Sequence, residues 1–220
     1  MKIGIFGGTF NPVHYGHLRA AEEVRERLNL NRILFIPSKE PPLKTKGIAE
    51  AKHRYEMLKI ALLDNSYFEL SDIEFRLKGK SYSVKTIEVL KKSNPEKDFS
   101  MILGIDTFLE IPKWWHPEKL VSLIDFIIIS RPNFKFLDLQ ASPYIKIKKK
   151  FLKELDEAKI ELYETELPTG VKARLLRLTP IGISSTEIRN LLTHGKSVKY
   201  LLPADVKSYI IFNKIYKFKN

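Results

Sequence analysis

The chain has 220 residues, 44% of them hydrophobic, which is enough to bury the core of one domain. It contains no cysteine, so disulfides, thiolate nucleophiles and thiolate metal sites are excluded. Lysine and arginine outnumber aspartate and glutamate by 38 to 26, and the formal net charge of +12 favours partners that carry phosphate groups, either nucleotides or nucleic acids.

The N-terminal segment predicts a βαβ unit. Lys2 to Phe6 is apolar and β-branched, as in a buried strand, and the sequence GGTFNPV that follows cannot continue it. From about Gly16 to Leu30, apolar residues recur at helical spacing. Arg32 to Pro37 predicts a second strand, parallel to the first and joined to it by a right-handed crossover.

The same alternation of strands and helices continues to about residue 132. It predicts an α/β fold with a Rossmann-like doubly wound parallel sheet that helices cover on both faces. The predicted helices span about 49–63 and 83–92, and the predicted strands about 68–75, 99–104 and 126–130. We interpret the strand at 126–130 as a last core strand.

The remainder of the chain predicts less regular structure. Residues 133–179 are interpreted as an insertion, with a helix near 147–158 and strand-like pieces near 160–163 and 175–178. Two short helices, about 184–193 and 203–214, form a small C-terminal helical part. We expect a single domain over 1–220, made of an α/β core (1–132), the insertion and last strand (133–180) and the C-terminal helices (181–220).

The loop after the first predicted strand carries the most informative motif. Its sequence, GGTFNPVHYGH at Gly7 to His17, occupies the usual phosphate-binding position of a doubly wound fold. It matches neither G-x-G-x-x-G nor the P-loop, which disfavours dinucleotide oxidoreductases and P-loop NTPases. His14 and His17 lie three residues apart at a helix start, so both imidazoles can face one side beside backbone N–H groups. A histidine zinc site would need further ligands from elsewhere, so phosphate binding is favoured.

Eight motifs follow one another in a fixed order along nearly the whole chain. They are GGTFNPVHYGH, PSKEPPLK at 37–44, HRYEML at 53–58, YSVKT at 82–86, LGIDTF at 103–108, the pair Trp114-Trp115, SRP at 130–132 and ISSTEIR at 183–189. In this order they resemble the bacterial nicotinate-nucleotide adenylyltransferases of the HxGH nucleotidyltransferase superfamily. Two positions depart from that family. Asn11 replaces the usual Asp, which we expect to matter little, and Leu43 replaces a His, which we expect to affect acceptor affinity or loop motion.

The resemblance implies an enzyme that transfers AMP from ATP to nicotinic acid mononucleotide, giving deamido-NAD and pyrophosphate in NAD biosynthesis. The attacking phosphate of the acceptor is already anionic, so the protein has to align two polyanions and neutralise developing charge rather than supply a base. His14 and His17 are the implied catalytic residues. Magnesium is expected on the triphosphate of ATP, held by substrate oxygens and water, with no protein metal site.

The resemblance also implies two groups of binding residues. ATP is expected to contact Gly7, Gly8, Thr9, Phe10, His14, His17, Ser184, Ser185, Thr186 and Arg189. The acceptor is expected to contact Lys44, Tyr82, Thr86, Gly104, Asp106, Trp114, Trp115 and Arg131. One tryptophan ring can stack on the pyridine ring while the other packs inward. For the nicotinate carboxylate, the candidates are backbone N–H groups near Tyr82 to Thr86 and the cationic side chains of Lys44 and Arg131.

Two alternatives stay open at this point. The same chemistry could act on nicotinamide mononucleotide or phosphopantetheine. A basic nucleic-acid-binding protein would explain the charge but would leave the histidine loop unexplained. No apolar run is long enough to span a bilayer, and MKIGIFGGTF does not resemble a signal peptide, so we expect a cytoplasmic protein without a membrane or nucleic-acid partner. A homo-oligomer is left open.

Overall fold

A computed structural model describes residues 1–43 and 47–216. The strands are β1 (Lys2–Gly8), β2 (Arg32–Pro37), β3 (Phe68–Leu70), β4 (Asp98–Gly104), β5 (Asp125–Ile129), β6 (Leu162–Glu166) and β7 (Lys172–Leu176). They form one seven-stranded sheet in the order β3-β2-β1-β4-β5-β7-β6. Neighbouring strands run parallel, except that β6 is antiparallel to β7 at one edge. The predicted α/β class with a doubly wound, mostly parallel sheet is therefore confirmed.

Helices cover both faces of the sheet. They are α1 (Tyr15–Arg27), α2 (Ala51–Leu62), α3 (Ile73–Arg76), α4 (Ser83–Ser93), α5 (Ile105–Leu109), α6 (Pro117–Leu123), α7 (Lys149–Asp156), α8 (Ser185–Thr193) and α9 (Ala204–Phe212), with 3-10 turns at Ile111–Lys113 and Phe136–Ala141. The short helices α3, α5 and α6 are ones that the sequence pattern does not predict. Across residues 1–43 and 47–216, no helix combines the length and apolar character needed to cross a membrane.

Strand β5 shows how the sheet divides the core into two layers. Ile128 belongs to the layer that includes Ile87 of α4, whereas the adjacent Ile127 belongs to the layer that includes Val24 of α1 and Ile210 of α9. Successive side chains of a strand point to opposite faces, so a strand covered on both faces needs apolar residues at every position. The run FIII in β5 meets that requirement, and it is buried throughout.

The edge strand of the sheet is shorter than predicted. The strand expected over 68–75 ends at Leu70, and a short helix begins at Ile73. The polar residues Ser71 and Asp72 cause the change. The hydroxyl of Ser71 accepts a hydrogen bond from the backbone N–H of Ile73 at 3.3 Å, and such local bonds favour a turn over continued strand pairing.

The predicted insertion contributes two strands to the central sheet. β7 pairs in parallel with β5, so the interpretation of 126–130 as a last core strand is wrong. β6 adds outside β7 in the antiparallel direction. The sequence of β7, KARLL, is interrupted by charge, and Arg174 within it pairs with Glu164 of β6 at 2.9 Å. This charged surface weakens the apolar pattern by which a strand is recognised.

Candidate active site

The site lies where the strand order reverses between β1 and β4, beyond the carboxyl ends of the parallel strands. Doubly wound sheets bind their ligands at this position. The histidine loop, defined here as residues 7–17, follows β1 and leads into α1. Helix α5, which directly follows β4, contains Asp106, and the segment after β5 contains Arg131. Topology therefore brings three of the predicted motifs to one edge of the sheet.

His14 and His17 face the same side, as their spacing predicts. Their rings are stacked with centroids 3.7 Å apart and an interplanar angle of 27°. His14 is the N-cap residue of α1, and its backbone N–H donates to Nδ1 of His17 at 3.3 Å. A neutral His17 therefore carries its proton on Nε2. Phe10 is buried beneath this pair, with its ring edge-on to His17 at 5.2 Å, so it supports the imidazole from the core.

His14 is held in its neutral form. Only 2% of its surface is exposed, and burial together with the nearby charge of Arg131 lowers its pKa to about 3. Among the described residues, its buried Nδ1 has no hydrogen-bond partner. A phosphate oxygen at the ring would favour the protonated form, because an adjacent anion raises the pKa of an imidazole. This histidine is consequently suited to an anionic ligand that compensates Arg131.

The start of α8 is docked onto the histidine loop. Ser184 caps the helix by accepting the N–H of Glu187 at 3.1 Å, which agrees with the predicted capping arrangement. The Ser185 hydroxyl donates to the Pro12 carbonyl at 2.8 Å. These bonds hold the free N–H groups of a helix start next to the two imidazoles, an arrangement that attracts phosphate.

Arg189 reinforces this docking from the next turn of α8. Its guanidinium donates to the Asn11 carbonyl at 2.8 Å and to the Thr186 hydroxyl at 3.2 Å. The structure thus brings together the predicted phosphate-binding residues of the histidine loop and of the ISSTEIR motif, although these segments are far apart in sequence. Their contact with ATP stays a prediction.

A large cleft of about 620 Å³ opens on one side of the histidine loop. Its lining includes the predicted residues Gly7, Gly8, Thr9, Tyr82, Thr86, Trp114 and Trp115. The partly buried Trp114 packs against the hydrophobic core, whereas Trp115 is 41% exposed and stacks on Tyr82 at 4.8 Å. Lys85 Nζ lies 4.8 Å from the centroid of the Trp115 ring. One inward and one accessible tryptophan is the arrangement that was predicted, and stacking on a pyridine stays a prediction.

Thr86 lines the large cleft, but its hydroxyl is bonded to the protein interior. Its hydroxyl is buried and donates to the carboxylate of the buried Glu74 at 2.5 Å. The donors nearest to it at the start of α4 are the backbone N–H groups of Ser83 and Val84, which belong to the first helical turn and have no partner within the helix. Contact of Thr86 with the acceptor stays a prediction.

A smaller cleft of about 160 Å³ borders the other end of the histidine loop, at Gly16. Arg131 lines this cleft, whereas the described lining of the large cleft does not include it. Its contact with the acceptor stays a prediction. Arg131 Nε lies 3.7 Å from Oδ1 of Asp106. A side chain at Gly104 would collide with this pair, since its Cβ would lie 2.7 Å from Cγ of Arg131. Lys44, the other predicted cation, lies outside the described residues.

Arg54 has a structural role in the site that the sequence did not predict. It is the second residue of the motif HRYEML. It is 1% exposed, and its guanidinium donates to the carbonyls of Thr9, Lys39 and Ala49 at 2.8 to 3.0 Å. It therefore ties the histidine loop to both ends of the segment that borders the large cleft. The signal for it is a charged residue placed on the apolar side of a predicted helix.

We expected the replacement of the usual Asp by Asn11 to matter little, but the Asn11 side chain makes three hydrogen bonds. Its amide donates to the Gly47 carbonyl at 2.9 Å, while its oxygen accepts from the Ala49 N–H at 3.0 Å and from the Tyr216 hydroxyl at 2.5 Å. The carboxylate of an Asp at this position could not donate to Gly47. Leu43, the second departure, is exposed at the rim of the large cleft.

Three comparisons with known proteins agree with this geometry. The family of cytidylyltransferase-like proteins matches residues 5–191. The probable nicotinate-nucleotide adenylyltransferase of Geotalea daltonii is 39% identical over 217 residues, covering 98% of each chain. The corresponding protein of Geobacter sulfurreducens is 40% identical over 217 residues, again with 98% of each chain covered.

A solved structure extends the similarity to the fold of the whole chain. The nicotinic acid mononucleotide adenylyltransferase of Plasmodium falciparum, complexed with NaAD, superposes with a TM-score of 0.74 and 25% identity. The superposition covers 99% of this chain and 98% of the other. With its full-length similarity to the bacterial proteins and the two clefts that meet at the histidine loop, this chain belongs to the nicotinate-nucleotide adenylyltransferase family.

Proposed function

We propose that the protein transfers the adenylyl group of ATP to nicotinic acid mononucleotide, giving deamido-NAD and pyrophosphate, a step of NAD biosynthesis. The observation that supports this function most directly is the pair of clefts that share the histidine loop. Gly7 to Thr9 borders the large cleft and Gly16 borders the smaller one. A reaction that joins two nucleotides through their phosphates needs two base sites with phosphate-binding groups between them.

ATP occupies the smaller cleft and the surface beside it. Its base and ribose lie near Gly16, Arg131 and Thr179, which line this cleft. Its triphosphate extends towards the start of α8, where backbone N–H groups and Arg189 provide positive charge. Arg131 thereby moves from the acceptor side, where the sequence placed it, to the ATP side.

The acceptor occupies the large cleft. Its pyridine ring packs against the stacked rings of Trp115 and Tyr82. This aromatic surface is accessible from the cleft, and the positive charge of Lys85 lies near both rings. Its carboxylate accepts a hydrogen bond from the backbone N–H of Ser83, which lines the cleft in the first turn of α4, where the helix dipole favours an anion. An amide in the same position would gain less, because it carries no charge.

The chemistry is a direct displacement at phosphorus. An oxygen of the acceptor phosphate forms a bond to the α-phosphorus, the bond from that phosphorus to the bridging oxygen breaks, and pyrophosphate leaves with the electron pair. Proton transfer is not needed at any step. The N–H groups of His14 and His17 stabilise the negative charge that grows on the α-phosphate oxygens.

Magnesium belongs to the substrate in this scheme. Among residues 1–43 and 47–216, no group of three or more His, Asp or Glu side chains is arranged to hold a metal ion. The phosphate oxygens of ATP and water supply the ligands that Mg²⁺ prefers. When bound, the ion supplies charge neutralisation for the departing pyrophosphate.

The test is pyrophosphate release by the purified protein with ATP, MgCl₂ and one of three acceptors: nicotinic acid mononucleotide, nicotinamide mononucleotide or phosphopantetheine. We expect release chiefly with the first. His17→Ala should lower kcat about a hundredfold, since it removes a donor to the reacting phosphate. His194→Ala, at an exposed histidine at the end of α8, is the matched control and should retain activity. Release with another acceptor would change the substrate assignment, and no release with any of the three would contradict the proposal.

A further inference from the structure

The turn between β7 and α8, residues 177–181, forms one wall of the smaller cleft. It is fastened to α1 at two backbone positions. The N–H of Thr179 donates to both carboxylate oxygens of Glu23, at 3.1 and 3.2 Å. The guanidinium of Arg27 donates to the carbonyl of Arg177 at 2.9 Å. The two side chains thus hold the turn on either side of Leu178.

Glu23 is a buried charge, and both Thr179 and Arg27 among its partners take part in this attachment. Its side chain is 2% exposed, and it pairs with Arg27 at 2.8 Å and with the more exposed Arg19 at 3.7 Å. A buried carboxylate is tolerated only where cations and N–H donors compensate its desolvation, and removing one partner of such a network is costly. A neutral side chain at this position of α1 would avoid the free-energy cost of desolvating a charge. The stability of the helix therefore does not explain why the residue is charged.

The far side of the same turn is also fixed. The hydroxyl of Ser130, at the end of β5, accepts the N–H of Leu178 at 2.8 Å. The turn is therefore held from α1 and from β5 at once, with Thr179, Pro180 and Ile181 facing the cleft across from Gly16 and Arg131. The chain then runs directly into Ser184, the cap of α8.

We infer that Glu23 and Arg27 are positioning residues for ATP. They hold the turn 177–181 in the position where it contacts the nucleoside of ATP, and they fix the direction in which the chain enters α8, the helix that binds the triphosphate. The inference rests on the proposed function for the identity of the ligand. The described lining of the large cleft contains neither Glu23 nor Arg27, nor any residue of the turn that they hold. Loss of the attachment should consequently weaken the binding of ATP and leave the binding of the acceptor unchanged.

Steady-state kinetics of Glu23→Gln and Arg27→Gln test this inference, with KM measured separately for ATP and for nicotinic acid mononucleotide. We expect KM for ATP to rise about tenfold in each variant, while KM for the acceptor changes less than about twofold. Glu23→Gln loses the charge that the Thr179 N–H binds, and Arg27→Gln loses the bond to the Arg177 carbonyl together with the ion pairs to Glu23 and Glu161. Glu22→Gln is the matched control. Glu22 precedes Glu23 on α1 and pairs with Arg25 and Asn65, away from the cleft.

Each outcome decides the question. An equal rise in both KM values, unchanged KM values, or an ATP-specific rise in Glu22→Gln would overturn the inference. If circular dichroism shows that Glu23→Gln is unfolded, the Arg27→Gln variant, at a half-exposed residue, is sufficient for the test. If the wild-type protein shows no turnover, the proposed function fails separately, and calorimetric titration of the same variants with MgATP decides whether the attachment shapes the ATP site.

Discussion

The two clefts beside the histidine loop are built in different ways. The large cleft is lined by residues from motifs that are each continuous in sequence, such as YSVKT and the tryptophan pair, and its accessible surface is aromatic. The smaller cleft is assembled from α1, the ends of β5 and β7 and the segment after residue 131, and charged side chains hold its walls. A binding surface that is made from residues adjacent in sequence can therefore be recognised as a motif. One made from distant backbone segments is visible only through the residues that join them.

The largest effect is expected for Arg189→Ala, which tests whether the start of α8 belongs to the ATP side. The variant loses the bonds to Asn11 and Thr186 and the charge that we assign to the triphosphate. We expect kcat/KM for ATP to fall about a hundredfold, as for loss of a charge-assisted phosphate contact in the transition state. Initial-rate kinetics with each substrate varied would measure it. Arg174→Ala, on the edge pair of β7 and β6, should behave as wild type, and an equal loss there would contradict the assignment.

A pH effect is expected at the junction of the clefts, where burial and Arg131 hold the pKa of His14 at about 3. The unfolded chain has the ordinary value near 6.5, so it binds more protons than the folded protein between these values. Stability is thus fully present above pH 6.5 and is lost as the pH falls towards 3, by about 1.4 kcal/mol per pH unit within that window. Urea unfolding of wild type and His14→Gln at pH 7.0 and 5.0 would measure this, and an equal pH dependence in both would show that another group is responsible.

The aromatic surface of the large cleft should affect only the acceptor. Trp115→Ala removes the exposed ring that stacks on Tyr82. We expect KM for nicotinic acid mononucleotide to rise about tenfold, with KM for ATP unchanged, because ring stacking contributes about 1 kcal/mol beyond the buried area. Tyr200→Ala removes an exposed aromatic residue elsewhere and serves as the control. A rise in KM for ATP of the same size would mean that the clefts are not separate sites.

The smallest effect is expected for the aromatic rim of the smaller cleft. Phe134 is 44% exposed and lines this cleft from the segment after Arg131. Phe134→Ala should raise KM for ATP about threefold and leave the acceptor unaffected, since a half-exposed ring buries little surface on the ligand. Phe212→Ala, at an exposed ring on α9, is the control. A change confined to the acceptor would reverse the assignment of the two clefts.

Much of the fold and part of the site could be predicted from the sequence. The continuous apolar strands β1, β2, β4 and β5 are recognisable because burial on both faces requires an apolar residue at every position. The stacked histidines follow from their spacing on one helical turn. Patterns of this kind depend only on residues that are close in sequence. They can therefore be recognised from one amino-acid sequence without the three-dimensional structure.

Other features depended on the tertiary structure. The sequence KARLL contains no strong strand signal, and only its pairing with β5 makes it the next parallel strand. The sequence predicts that Arg131 is a cation near the site, and the structure agrees. Its position in the smaller cleft, which Gly16 also lines, depends on the strand order.

The α/β class, the histidine loop and the family could be recognised from the sequence, because periodicity and motifs of adjacent residues indicate them. The bond from Thr179 to Glu23 and the contacts of Asn11 with Gly47 and Tyr216 became known from the three-dimensional structure. These contacts span residues far apart in the chain. Two of the partners, at Thr179 and Gly47, are backbone groups, which every residue carries and which no sequence pattern can distinguish.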